Sequence, residues 1–219
     1  MKISYEFTKK PEIPAIITRN GYTTPIWIQQ MWEEGEFSKY VQKNGCGHCC
    51  TSMALCLNGI EINPHEEFSL CRELWGEPRY GEPFYEDNFA SVSGIVKILK
   101  HFGVNAKYFG VSEGKTDEAT KHIKNMLDEE KMIIIWSQPS ERLPENPFSP
   151  NDHYVLLLGY DDVGQIVVAN SSANSKAVNG INKVDLNTIK ASLCEDCEPD
   201  DYTWGRHNLK HSGGYVVIG

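Results

Sequence analysis

No stretch of this chain approaches the ~18 consecutive apolar residues that a membrane helix needs. The longest apolar runs, Met132–Trp136 and Tyr154–Leu158, are strand-sized. Positive charge is also scarce: 21 Lys and Arg stand against 30 Asp and Glu, a net charge of −9. That balance argues against a nucleic-acid binder, which shows a basic patch or stripe, and against a partner at an anionic membrane surface. The opening residues, MKISYEFTKKPEIPAIITRN, have neither the apolar core nor the small-residue cleavage site of a signal peptide, so a cytoplasmic location is expected. Internal repeats and low-complexity tracts are absent. What is present is an ordinary globular composition of 219 residues, 40% apolar and 23% charged, enough for one domain or one domain with two lobes. Seven cysteines, at 46, 49, 50, 56, 71, 194 and 197, are an odd number. A cytosolic chain of this size needs no disulfide staples, so free thiols, a catalytic thiol or a metal site are the better readings.

The pattern predicts an α+β fold. Short β-prone pieces at Ile3–Phe7 and Ala15–Thr18 are broken by prolines, and Pro25–Ile28 reads as another short strand. Cys50, Met53, Ala54 and Leu57 fall at helical spacing, which predicts a buried helix over Cys46–Leu57 with Asn58-Gly59 as its stop. Residues 60–87 mix Pro, Gly and aromatics, so helical pieces and loops are expected there. A second helix covers Ser91–Phe102, a short strand Asn105–Phe109, and an amphipathic helix Lys115–Glu130. The character then changes to strands at Met132–Trp136, Tyr154–Tyr160, Gln165–Ala169 and Tyr215–Ile218, with a proline-rich loop over Gln138–Asp152 and a hairpin turn at Asp161–Gly164. Helices first and strands second imply two parts packed around a cleft. The stretches Trp75–Tyr85 and Gln138–Asn151 are the candidate cleft walls.

A thiol attacks as the thiolate, and a helix N-terminus favours that anion. Cys46 stands where a helix should start, between Gly45 and Gly47. It needs a base. Of the seven histidines, His153 follows a polar loop and opens an apolar strand, where it can face a helix mouth. The imidazole in turn needs an orienting acceptor. The hairpin at Asp161–Gly164 returns the next strand antiparallel, and that strand ends at Asn170, beside the strand that His153 opens. Acyl transfer also needs oxyanion donors: the Cys46 N–H is one, and the side chain of Gln29, Gln30 or Gln42 is another.

The order Gln, Cys, His, Asn resembles that of papain-like cysteine peptidases, and most closely the bacterial C39-like group of the bacteriocin-processing type. The matching segments are Pro25-Ile26-Trp27-Ile28-Gln29, Gly45-Cys46-Gly47 with Thr51-Ser52-Met53-Ala54-Leu55, and His153-Tyr154-Val155-Leu156-Leu157-Leu158-Gly159-Tyr160-Asp161. Two segments depart from the family pattern: His48-Cys49 stands where Pro-Thr is usual, and Asn170-Ser171 where Asp-Pro is. The resemblance implies a single papain-like domain over 1–219. Its helix-rich lobe would span about 25–130 and its antiparallel-sheet lobe about 131–219, with the active site between them. It assigns Cys46 as nucleophile, His153 as base, Asn170 as orienting residue and Gln29 as oxyanion donor. The implied activity is hydrolysis of a peptide or small amide through a thioester, with a Cys46–His153 thiolate–imidazolium pair and no cofactor or metal.

Rival readings remain. Cys46-Gly47-His48-Cys49 spells the dithiol motif of disulfide isomerases, without the preceding strand and Trp of that context. The pairs Cys46/Cys49 and Cys194/Cys197 have the CxxC spacing of zinc sites, though they are far apart in sequence. A non-catalytic relative could keep the fold as a binding module.

Overall fold

The computed structural model describes residues 2–33, 35, 38–75, 92–139, 143–193 and 214–219. Strands β1 (Ile3–Lys10), β2 (Ile13–Arg19) and β3 (Tyr22–Pro25) form an antiparallel ribbon. Helices α1 (Ser38–Asn44), α2 (Cys46–Cys56), α3 (Pro64–Trp75) and α4 (Val92–His101) follow. The remainder is β4 (Ala106–Phe109), α5 (Thr116–Asp128), β5 (Met132–Ser137), β6 (His153–Tyr160), β7 (Ile166–Ala169), β8 (Ile181–Val184), α6 (Leu186–Ser192) and β9 (Tyr215–Ile218). Six of these strands form one antiparallel sheet in the order β4-β9-β5-β6-β7-β8. The fold is α+β, as the sequence predicts. One local expectation fails. The strand expected at Pro25–Ile28 ends at Pro25, and a short 3-10 turn at Gln29–Met31 follows. The helix expected from Cys46 is present, and α1, which the sequence pattern does not mark, immediately precedes it.

Side-chain alternation along the sheet divides it between two cores. Ile134, Tyr154, Leu156, Leu158, Val167 and Val216 face α2 and α4. Ile133, Ile135, Val155, Leu157, Val168 and Val217 face α5 and α6. A sheet covered on both faces explains why β5 and β6 read as continuous apolar runs. α2 packs directly on β6 and is buried on every side from Gly47 to Cys56.

The ribbon is tied to the sheet at a defect in β6. Register slips between Leu157 and Gly159, so the Leu158 carbonyl falls out of the ladder. The buried Arg19 donates from Nε to that carbonyl at 3.0 Å and from its guanidinium to the Glu130 carbonyl just past α5.

Gly45 is the hinge between α1 and α2. Its N–H donates to the Val41 carbonyl at 2.8 Å, and a Cβ placed there would lie 2.3 Å from that oxygen and 2.6 Å from Val41 Cγ1. No side chain fits. Gly45→Ala is expected to destabilise the protein by about 1–3 kcal/mol, as overpacked cores do. The sign is diagnostic, because at an uncrowded helix position Ala stabilises over Gly by ~0.5–1 kcal/mol. Urea unfolding midpoints of the two proteins settle it.

Candidate active site

The N-cap of α2 is Gly45, which offers no side-chain cap. The amides of Cys46 and Gly47 are instead directed at the Cys46 sulfur, and so is the backbone N–H of Tyr154. The thiol at the mouth of α2 therefore meets the start of β6, one residue from His153. Cys46 itself is half-buried. Burial pushes its thiol up from the ordinary cysteine value; those three N–H groups oppose the shift and Asp152 adds to it.

His153 is buried, 3% exposed, and its Nε2 lies 3.0 Å from Asn170 Oδ1. The surroundings of Asn170 fix which atom is which. Asn170 Oδ1 also accepts the Ser172 N–H at 2.9 Å, so it is the oxygen. Asn170 Nδ2 donates to the Phe148 carbonyl at 2.9 Å and to Asn182 Oδ1 at 2.8 Å, so it is the nitrogen. An oxygen facing Nε2 requires the imidazole proton there. The neutral ring then carries its lone pair on Nδ1. Burial drives His153 down to about 4, against the opposing hydrogen bond from Asn170. Burial thus pushes the thiol up and the imidazole down. The cause is desolvation of both groups.

Gln29 is buried in the 3-10 turn. Its backbone N–H donates to the Ser171 carbonyl at 2.8 Å, which seats it beside Asn170. Its Nε2 donates to the Gln42 carbonyl at 3.3 Å, using one of two amide protons. The other two candidates also have partners. Gln42 Nε2 donates to the Trp32 carbonyl at 2.7 Å, and Gln30 Oε1 accepts the Ala173 N–H at 2.9 Å. The chain thus brings the four expected residues to one place: Cys46 to the Tyr154 amide, His153 to Asn170, and Gln29 to Ser171.

Sequence reasoning missed three supporting groups. Asn182 on β8 and the Phe148 carbonyl hold the Asn170 amide, and Gln42 on α1 holds Gln29. Nothing in a four-residue strand reading Ile-Asn-Lys-Val marks Asn182 out. Among the expected cleft walls, residues 76–85 and 140–142 lie outside the described residues, as do Cys194 and Cys197. Cys46 and Cys49 are free thiols, with Cys49 fully buried and its thiol pushed well up by that burial.

His153 makes stability depend on pH. An unfolded histidine titrates near ~6.5. Above that value both states are neutral and the group contributes nothing. Between 6.5 and about 4 only the unfolded chain takes the proton, so stability falls as pH falls. The loss should reach about 3 kcal/mol below pH ~4. Urea unfolding at a series of pH values should show it in the wild type, and His153→Gln should remove that share of the slope.

Among the described residues no helix is long and apolar enough to cross a membrane. No curated protein matches the chain. The family model described as "Peptidase_C39 like family" matches residues 27–194, which spans every residue of the cluster just described. The chain belongs to that family of cysteine peptidase-type hydrolases.

Proposed function

We propose that this protein is a cysteine-dependent hydrolase that cleaves a peptide or small amide through a thioester, with Cys46 as nucleophile, His153 as base, Asn170 as its orienting residue and Gln29 as oxyanion donor. The domain would be papain-like, its helix-rich part at about 25–130 meeting its sheet at about 131–219, and it would work in the cytoplasm. One observation carries the reading. Asn170 holds the imidazole proton on Nε2 and so leaves Nδ1 basic, at the strand start that the Cys46 thiol meets.

In the proposed cycle the neutral pair reacts by general base catalysis. Nδ1 takes the thiol proton as the sulfur attacks the carbonyl carbon. The oxyanion is held by the Cys46 N–H and the second Gln29 amide proton. The imidazolium then gives that proton to the leaving nitrogen as the C–N bond breaks. Water, deprotonated by Nδ1, attacks the thioester, and the acid leaves as the thiol regains its proton. Keeping the pair neutral avoids two charges in a site that disfavours both.

A library of peptide and amide substrates tests the reading. Cys46→Ala should abolish turnover. Gln29→Ala should lower kcat by about 10²–10³, the usual cost of one oxyanion donor. The acid limb of kcat/KM should fall well below the ~6.5 of a free histidine, towards the value of about 4 that burial gives His153. Turnover in Cys46→Ala near that of the wild type would end this account. A folded wild-type chain that binds peptides without cleaving them would make it a binding module instead.

A further inference from the structure

The first turn of α2 carries another set of polar side chains, which the proposed chemistry does not use. His48 on α2 and Glu67 and Cys71 on α3 are all fully buried. An imidazole nitrogen, a carboxylate oxygen and the thiol sulfur lie within 4.8 Å of one another. His48 Nδ1 contacts Glu67 Oε2, and the Cys71 thiol donates to Glu67 Oε1 at 3.4 Å. Their surroundings are apolar. Phe68 and Ile98 pack with Cys71, and the His48 ring meets Phe68 edge-on at 5.0 Å and 72°.

We propose that His48, Glu67 and Cys71 form a binding site for a divalent cation of the zinc type. Nitrogen, oxygen and sulfur donors together make the borderline-soft set that zinc takes. Glu67 and Cys71 are four residues apart on one helix, a spacing that lets two side chains on the same face share an ion. His48 completes the set from the neighbouring helix. Tetrahedral zinc, with bonds of ~2.0–2.3 Å, has donor–donor edges of roughly 3.3–3.8 Å. The Cys71–Glu67 separation of 3.4 Å already falls in that range, and the His48–Glu67 contact would need to open. Charge also balances. A dication with one carboxylate and one thiolate is neutral, which a fully buried site requires. On binding, the thiol proton leaves to solvent, the proton between His48 and Glu67 goes to the imidazole nitrogen that does not bind the metal, bonds form from sulfur, nitrogen and oxygen to the metal, and nothing is oxidised or reduced. The fourth position remains for water. Such an ion would fasten the turn that carries Cys46 to α3 without touching the nucleophile. It is independent of the hydrolase reading, and it uses neither CxxC pair as a unit.

Elemental analysis of the full chain, purified without chelating resin from zinc-supplemented cells, is the test. The expected result is about one zinc per chain in the wild type, in Cys46→Ser and in the Cys194→Ser/Cys197→Ser double variant, and under about a tenth in Cys71→Ser and Glu67→Gln. Cobalt supplies the second readout: apo wild type titrated with Co²⁺ should develop the thiolate-to-cobalt absorption band. If Cys71→Ser does not fold, the near-isosteric Glu67→Gln decides. Substoichiometric zinc in the wild type together with no cobalt band would overturn the site. So would zinc that survives Glu67→Gln, or zinc that disappears only with Cys194 and Cys197.

Discussion

A helix buried on every side must settle all its polar groups within the protein, and α2 sets the terms for the rest of this fold. Its body is covered by β6, α3 and α4. Thr51 returns its hydroxyl to the Gly47 carbonyl at 2.8 Å, and His48 reaches Glu67. Only its first residue, Cys46, is less than fully buried, and there the sulfur faces amide groups. Burial thus rigidifies the element that holds the thiol, while Cys46 itself stays half-buried. The hinge at Gly45 follows from the same demand, since α1 must turn away tightly enough to expose that mouth.

Much of this was legible in the sequence. Ile134, Leu156 and Val168 lie in apolar runs with no polar interruption, and such runs are strands buried on both faces. His153 and Asn170 could be paired because a hairpin turn of two Asp, a Val and a Gly sets the register closely enough to place one strand end beside the other. What escaped was short or mixed. β8 is four residues with Asn and Lys inside it, too brief for a period. The α3 segment reads only as helical pieces and loops, although Asn63 and Glu66 form a reciprocal cap: Asn63 Oδ1 accepts the Glu66 N–H and Glu66 Oε2 accepts the Asn63 N–H, both at 2.9 Å. That signal was readable. The upward shift of the Cys46 thiol and the downward shift of the His153 imidazole are not readable in the sequence, because desolvation depends on what the fold packs around a group.

The departures from the family pattern now have physical content. His48, where proline is usual, is the residue that joins α2 to Glu67. A proline there would remove both the imidazole and a backbone donor. The difference lies in the scaffold beneath the nucleophile and leaves the nucleophile itself unchanged.

Asn170, where aspartate is usual, has a further consequence. Its nitrogen faces two acceptors, the Phe148 carbonyl and Asn182 Oδ1. A carboxylate at 170 would turn a bare oxygen towards both, so the choice between amide and acid is made by the neighbours. Rotating the Asn182 amide would relieve one clash by presenting its own nitrogen, but that nitrogen now serves the Pro147 carbonyl at 3.2 Å. Positions 170 and 182 are therefore chemically coupled: an acid at 170 would need a donor at 182 and a displaced Phe148 carbonyl as well.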